Sequence, residues 1–204
     1  MDDERGTRMI DPVPFMTYAF VMSITPGPNN VMLTAGGANF GFRRTLPQMT
    51  GICIGVAIQL LATCAGLGAL FDRWPALQLT LGWAGAAYLV FLGWQLLRSQ
   101  DAQVREGARP VSLLEAVGFQ FLNPKAWVMT ITAAAVFLPR EFGLVARNAY
   151  MVGITEAIGI PCLVVWALFG SSLRALLATP RNRRIFNISM ALALAATAVA
   201  MVAK

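Results

Sequence analysis

The sequence contains no histidine, and this absence excludes several common kinds of chemistry. Imidazole is the usual general base in enzymes and a frequent metal ligand, so Ser-His and Cys-His catalysis and His-ligated metals are excluded. Cysteine is scarce as well: Cys53, Cys64 and Cys162 lie in apolar stretches and form no CxxC pair. An odd, unpaired set argues against a disulfide framework, and we interpret these thiols as small buried side chains. We predict neither a metal site nor a cofactor.

Charged residues are also few. They make up 13% of the 204 residues, whereas soluble domains carry roughly 25%. The hydrophobic fraction is 57% and the mean hydropathy is +0.62. The net charge of +6 does not indicate a nucleic-acid partner, because the basic residues are scattered and form no long run. This composition predicts a protein whose partner is the lipid bilayer, with the basic excess in its cytoplasmic loops.

Long apolar segments fill most of the chain. There are six, each near the ~20 residues that a helix needs to cross a bilayer. They cover approximately residues 13–38, 45–71, 75–97, 116–138, 148–173 and 185–203. We therefore predict an all-α integral membrane protein with six transmembrane helices, forming a single domain over residues 1–204. The acidic start, "MDDERGTRMIDP", is unlike a cleaved signal peptide, so we expect the first segment to be retained.

Lysine and arginine in the connections predict the orientation. One side carries nine of them: Arg43, Arg44, Arg98, Arg105, Arg109, Arg174, Arg181, Arg183 and Arg184. The other side carries six: Arg5, Arg8, Arg73, Arg140, Arg147 and Lys204. Because the cytoplasmic side holds the excess, both termini are expected outside.

The two halves of the chain are expected to form an inverted repeat. The longest polar connection, residues 98–110, separates three helices (about 13–97) from three more (about 116–203), so the second half enters from the opposite face. Matching residues lie 98 positions apart: Pro26 with Pro124, Gly51 with Ala149, and Gly55 with Gly153. The last two pairs predict matching small-xxx-small packing faces.

The first apolar segment is interrupted by "SITPGPNNVM", residues 23–32. Freed backbone groups at such a break must face protein or a water-filled cavity. Pro28 suits the first position of a new half-helix, whose N–H groups would attract an anion. We predict that Pro26, Gly27, Pro28, Asn29 and Asn30 contribute to a substrate site. A simple proline kink that aids packing is the alternative.

The fourth segment has a second break, "FLNPKAW", where Asn123 can cap a half-helix that Pro124 opens. Lys125 opposes the dipole of that helix and lies about 13 Å deep; Glu156 lies about 12 Å from the opposite face. We predict one central site with Asn123, Pro124 and Lys125 on substrate and Glu156 on an ammonium group or a coupling proton. Snorkelling of Lys125 or a structural ion pair with Glu156 are the alternatives.

Three further polar side chains are candidates for the same site. Gln59 in the second segment, Gln120 beside the second break and Tyr88 in the third segment could all reach a central cavity. Hydrogen bonds to neighbouring helices are the alternative for the two glutamines. An interhelical or interfacial position is the alternative for Tyr88.

Several motifs together resemble those of the LysE/RhtB family of bacterial amino acid exporters. They are "TPGPNN", "GFRR" with "GICIG", "WAGAAYLVFLGWQLLRS" and "FLNPK", in order over nearly the whole chain. "AVGFQFLNPK" and "GWAGAAYLVFLGW" look most like the branch that exports cysteine and O-acetylserine. The family's motifs place Pro26 to Asn29 and Asn123 to Lys125 at the site, and Glu156 matches no motif.

The resemblance implies efflux of a small amino acid across the bacterial inner membrane by proton antiport, without ATP and without enzymatic activity. Threonine, homoserine or lysine would be alternative substrates, and a homo-oligomer is left open. A membrane-embedded thiol–disulfide oxidoreductase is a rival class, but its two cysteines should lie together at the breaks. An ion or metal transporter is a third class, and it would need more intramembrane carboxylates than Glu156.

Overall fold

The chain folds into helices in the computed structural model, which describes residues 11–98 and 109–203. The helices within these ranges are α1 (Val13–Ile24), α2 (Pro28–Phe40), α3 (Phe42–Cys64), α4 (Gly68–Arg73), α5 (Pro75–Arg98), α6 (Leu113–Leu122), α7 (Pro124–Phe137), α8 (Leu144–Ser172) and α9 (Pro180–Val202). The described residues contain no strand. The first ten residues of the acidic N-terminal stretch lie outside the described residues, as do Arg105 and Lys204.

Four of these helices are long and apolar enough to cross a membrane: α3, α5, α8 and α9. Three shorter apolar helices, α1, α6 and α7, contain 12, 10 and 14 residues. Exposed large hydrophobic side chains occur on several of these helices, as expected where lipid replaces water as the solvent. The prediction of an all-α fold is confirmed over the described residues, and four of its helices have the length and hydropathy of membrane spans. The count of six spans stays a prediction.

The second predicted segment, residues 45–71, is wrong in its extent. Helix α3 ends at Cys64 because Gly66 adopts a φ of 102°, a conformation that glycine tolerates best. The N–H of Leu67 donates to the carbonyl of Ala62, and that of Gly66 to the carbonyl of Thr63. This Schellman arrangement satisfies the last helical carbonyls and starts the separate short helix α4.

Pairwise helix packing brings the two halves of the chain together. Helix α8 packs along both α1 and α2, whereas α3 packs along both α6 and α7, and α5 packs against α9. A buried cluster containing Phe15, Leu60, Cys64, Ala133 and Met151 lies at one end of the bundle, which we call the Phe15 end. The opposite end, where α2 meets α3, we call the Arg43 end.

Glycines allow the closest helix contacts, but not all of those that the sequence predicted. A Cβ on Gly51 would lie 2.3 Å from the Leu113 carbonyl oxygen, and one on Gly55 would lie 2.5 Å from Gln120 Cγ. Gly153 has nothing within 4 Å of such an atom. The small-xxx-small face at Ala149 and Gly153 is therefore wrong, because both residues are on an exposed face of α8.

Helix α6 begins at the Arg43 end with a capping box. Ser112 accepts a hydrogen bond from the Glu115 N–H, and the Glu115 carboxylate accepts one from the Ser112 N–H. Arg109 makes two hydrogen bonds to the same carboxylate, at 2.6 and 2.7 Å. These contacts, the Arg109 hydrogen bonds above all, hold the pKa of Glu115 at about 2. The start of the second half is thereby anchored ahead of its apolar run.

Candidate functional site

The first break separates α1 from α2, and nearby side chains satisfy the carbonyls that it frees. The Asn30 side chain donates to the carbonyls of Ser23 at 3.0 Å and Thr25 at 2.8 Å. The indole N–H of Trp166 donates to the carbonyl of Ile24 at 3.3 Å. An unpaired buried carbonyl would cost roughly 1–3 kcal/mol, so these contacts make an open backbone tolerable within the bundle.

The second break separates α6 from α7 and follows the predicted capping pattern. Asn123 is the N-cap of α7, and its side-chain oxygen accepts a hydrogen bond from the Lys125 N–H at 3.1 Å. Pro124 occupies the first helical position, where its missing N–H costs nothing. The indole of Trp127 donates to the freed carbonyl of Phe121 at 2.8 Å.

Lys125 connects the two breaks directly. Its ammonium nitrogen lies 2.7 Å from the Thr25 carbonyl oxygen, 2.9 Å from Thr25 Oγ1 and 3.3 Å from the Pro26 carbonyl oxygen. Gly27 permits this approach, because a Cβ there would lie 2.8 Å from Lys125 Cδ. The cation therefore occupies the negative end of α1, although it belongs to the N-terminus of α7.

Asn29 and Gln120 form a reciprocal amide pair across the two breaks. Asn29 Nδ2 donates to Gln120 Oε1 at 2.9 Å, and Gln120 Nε2 donates to Asn29 Oδ1 at 3.1 Å. Gln59 donates to the Gln120 carbonyl at 2.8 Å, which adds α3 to the same network. Both glutamines are fully buried. This network fixes the spacing between the two halves of the chain.

A cavity lies between the two breaks, with about 560 Å³ of empty space including its open mouth. Seven of the predicted site residues line it: Gly27, Pro28, Asn29, Asn30, Asn123, Lys125 and Glu156. Pro26 and Pro124 flank the same breaks in the chain. Apolar side chains of α3 and α7, such as Val56 and Met129, complete the wall.

Glu156 faces the cavity from α8. The thiol of Cys53, on α3, lines the same cavity. No ion pair joins Glu156 to Lys125 within 4 Å, and in the part of the chain that the structure describes the closest charged pair is Arg109 with Glu115. The cavity thus presents one cationic and one acidic group that do not neutralise each other by contact.

Two predicted site residues lie elsewhere. Tyr88 is absent from the cavity wall: on α5 it packs against the ring of Phe119, with centroids 5.2 Å apart. Because α5 packs mainly against α9, Tyr88 contacts α6 and not the cavity, and its role at the site stays a prediction. Gln59 is also absent from the wall, and its amide is directed at the Gln120 carbonyl instead.

Sequence reasoning missed several residues that shape the site. Cys53 and Met129 line the cavity, and Trp127 and Trp166 satisfy carbonyls freed by the breaks. The roles of the two tryptophans could have been predicted, because a buried Trp N–H requires an acceptor and a helix break supplies free carbonyls. A thiol or thioether within an apolar helix carries no comparable signal.

A helical membrane chain with two broken helices around a charged central cavity defines a multi-pass transporter. Residues 20–204 match the family model described as LysE type translocator. The chain belongs to this LysE family. It is 34% identical over 192 residues to the cysteine/O-acetylserine efflux protein of Escherichia coli K12, with 91% of this chain and 94% of the relative covered. It is also 34% identical over 159 residues to the protein of the same name from Klebsiella pneumoniae, at 76% and 80% coverage.

The family makes this protein a translocator and not an enzyme. No solved structure matches the chain. Among the described residues, all three cysteines are free and no group of three metal-ligating side chains occurs. Cys53 alone of the three lines the cavity, so the rival thiol–disulfide chemistry has no pair of thiols there.

Proposed function

We propose that this protein exports small zwitterionic amino acids of the cysteine or O-acetylserine kind across the bacterial inner membrane by proton antiport. The observation that carries the proposal is the shared cavity, which is lined by both breaks and holds Lys125 and Glu156 apart. A zwitterion has one carboxylate and one ammonium group, and the cavity offers a partner for each.

The substrate carboxylate is assigned to Lys125 and the start of α2. The Lys125 ammonium is held by neutral oxygens of Thr25 and Pro26, and no carboxylate among the described residues neutralises its charge at hydrogen-bond distance. The first N–H groups of α2, at Asn29 and Asn30, have no intrahelical acceptor and add the positive end of the helix dipole. Both features favour an anion at the same wall.

The substrate ammonium, or the proton that exchanges with it, is assigned to Glu156. In the part of the chain that the structure describes, no cationic side chain forms an ion pair with this carboxyl group, so it is available to a ligand. The rest of the wall is formed by small or apolar residues, including Ile52, Val56 and Ala126. Such a wall fits a short uncharged side chain better than a cationic one, which is the reason for preferring cysteine-like substrates over lysine.

The proposal includes six spans in a single domain, with each pair of half-helices, α1–α2 and α6–α7, counted as one broken span. An inverted repeat of residues 13–97 and 116–203 is supported by the exchange of partners, in which α8 packs on the first broken pair and α3 on the second. We place both termini outside the cytoplasm.

Export from intact cells tests the proposal. Cells that overproduce the protein are challenged with a panel of amino acids, and extracellular accumulation and resistance are measured. We expect O-acetylserine and cysteine to appear outside. Export should fall at least about tenfold in Lys125→Gln, because a hydrogen bond to a charged group contributes roughly 1.5–3 kcal/mol. Arg140→Gln, on an exposed residue, is the matched control.

A second experiment tests proton coupling. Glu156→Gln should export slowly and without dependence on an imposed pH gradient, while Glu141→Gln, at an exposed position, should behave as wild type. If no amino acid accumulates outside the cells, the proposed substrate class is wrong. Full gradient-dependent export by Glu156→Gln would remove Glu156 from the coupling step and leave the export function intact.

A further inference from the structure

A second, smaller cavity continues from the central one toward the Phe15 end. Met129 and Thr155 line both cavities, so the two are neighbours along one path. Phe15, Tyr18 and Leu60 form the far wall of the smaller cavity. The smaller cavity has no room for a water molecule, so the path from the central site to that end of the bundle is closed in this structure.

The two ends of the bundle are closed in different ways. At the Arg43 end, α2 and α8 touch through backbone: a Cβ on Gly37 would lie 2.4 Å from the Ala167 carbonyl oxygen, and one on Gly170 would lie 2.2 Å from that of Thr34. Side-chain rotation cannot open such a contact, because no side chain forms it. This end opens only if whole helices separate.

The Phe15 end is closed by aromatic rings from three helices. Phe15 of α1 stacks on Phe137 of α7, with centroids 5.2 Å apart, and Tyr18 lies 5.4 Å from the same ring. Tyr150 of α8 lies 6.1 Å from Phe15. Rings of this kind can turn aside while the helices stay packed, so this barrier is the easier one to open.

Helix α1 is attached to the central site by Lys125. The ammonium group binds the Thr25 and Pro26 carbonyls, which follow the last turn of α1. Farther along the helix, Tyr18 Oη donates to the Met129 carbonyl at 3.2 Å. The helix has only 12 residues, so a change at its Thr25 end is transmitted to the rings at its other end.

We propose that Phe15, Tyr18 and Phe137 form the exit gate of the exporter, and that Lys125 holds this gate closed through α1. When a substrate carboxylate binds the Lys125 ammonium, the hydrogen bond from Lys125 to the Thr25 carbonyl is lost. Helix α1 then tilts, and the rings move apart. This inference rests on the proposed function for the identity of the ligand, and the gate is tested without transport.

The chain supplies its own reporter, because Cys53 lines the central cavity. With Cys64→Ala and Cys162→Ala in place, the rate at which a membrane-impermeant methanethiosulfonate modifies Cys53 measures access. In right-side-out vesicles we expect Phe15→Ala, Phe137→Ala and Lys125→Gln each to raise this rate at least fivefold. Phe20→Ala is the matched control: it removes the same ring from an outward position of α1, where Phe20 is 51% exposed.

Each outcome decides a part of the inference. An unchanged rate of Cys53 modification in both Phe15→Ala and Phe137→Ala would overturn the gate. If the Phe15→Ala protein does not fold, the result for Phe137→Ala alone decides. An increase seen only in inside-out vesicles overturns the direction of exit. If the rate of Cys53 modification rises in the gate variants but not in Lys125→Gln, then Lys125 does not hold the gate closed. Labelling requires no export, so failure of the substrate assay leaves these results standing.

Discussion

At the scale of single residues, Lys125 shows how position in sequence and position in space differ. In sequence it opens α7, where a cation opposes the helix dipole. In the structure its ammonium reaches the carbonyls of Thr25 and Pro26, which end α1 and favour a positive charge. The position of Lys125 at the start of α7, unfavourable within its own helix, thus allows it to join α7 to α1. This contact depends on Gly27, which leaves room for the lysine side chain.

Gly27→Ala tests this dependence. The added methyl would lie 2.8 Å from Lys125 Cδ and 3.0 Å from its ammonium nitrogen, so the side chain must leave the Thr25 carbonyl. We expect the apparent KM for the exported amino acid to rise about tenfold, equivalent to about 1.4 kcal/mol. The measurement is export against intracellular substrate concentration, normalised to protein in the membrane.

Gly118→Ala is the matched control for Gly27→Ala, since nothing lies within 4 Å of a Cβ at that position. The backbone of Gly27 is extended, with a φ of −170°, so alanine introduces no conformational strain there. An unaltered KM in Gly27→Ala would show that the position of Lys125 does not affect substrate binding.

The sequence was informative about residues that act on their own neighbours. The roles of Pro28 and Asn123 follow from helix-start rules, because capping operates over two or three positions. Trp166 could not be paired with Ile24 in the same way, since the two are 142 positions apart. Cys53 was missed for the same reason: its position with Glu156 in one cavity wall is created by the packing of α3 near α8.

At the scale of helices, the breaks and the glycine contacts have opposite effects. The breaks remove backbone pairing at the centre of the molecule, while glycines at the Arg43 end bring α2 and α8 into backbone contact. The Arg43 end is held by backbone contacts, and the breaks leave the backbone unpaired at the centre. Helix α1 is therefore the helix with the most freedom to move. The sequence could show that glycines are frequent, but not which of them face another helix.

Gly37→Ala and Gly153→Ala separate these two kinds of glycine. A methyl on Gly37 would meet the Ala167 carbonyl at 2.4 Å, so α2 and α8 must separate. We expect a loss of roughly 1–3 kcal/mol of stability, as for other overpacked sites, and a lower thermal transition of the purified protein. Gly153→Ala meets nothing within 4 Å and should leave the transition unchanged or raise it. Equal effects in the two variants would contradict the packing described for α2 and α8.

At the scale of the whole molecule, hydropathy predicted the helical membrane class and most helix positions because both depend on local composition. It overestimated the second segment, since Gly66 ends α3 while apolar residues continue into α4. The packing partners could not be predicted: nothing in the composition of α8 or α3 says that each packs on the broken helices of the other half. The central cavity forms because each of these two helices packs on the other half of the chain.

The charge distribution between the two ends of the bundle leads to the last prediction, the orientation in the membrane. Eight described arginines lie at the Arg43 end: Arg43, Arg44, Arg98, Arg109, Arg174, Arg181, Arg183 and Arg184. Three lie at the Phe15 end: Arg73, Arg140 and Arg147. Because arginine-rich connections stay in the cytoplasm, we expect the Phe15 end, with its proposed gate, to face outward.

Reporter fusions measure this orientation independently of transport. Alkaline phosphatase, active only outside the inner membrane, should be active when fused after α9 and inactive when fused after Arg98 of α5. These two helices run antiparallel, since Gly82 lies near Met201 and Gly93 near Ala191, so they end at opposite ends of the bundle and each fusion is the control for the other. A fluorescent protein that matures only in the cytoplasm should give the reverse pattern. If both reporters place the end of α9 in the cytoplasm, the gate faces inward and controls entry of substrate, because the arrangement of helices is unchanged while its direction is reversed.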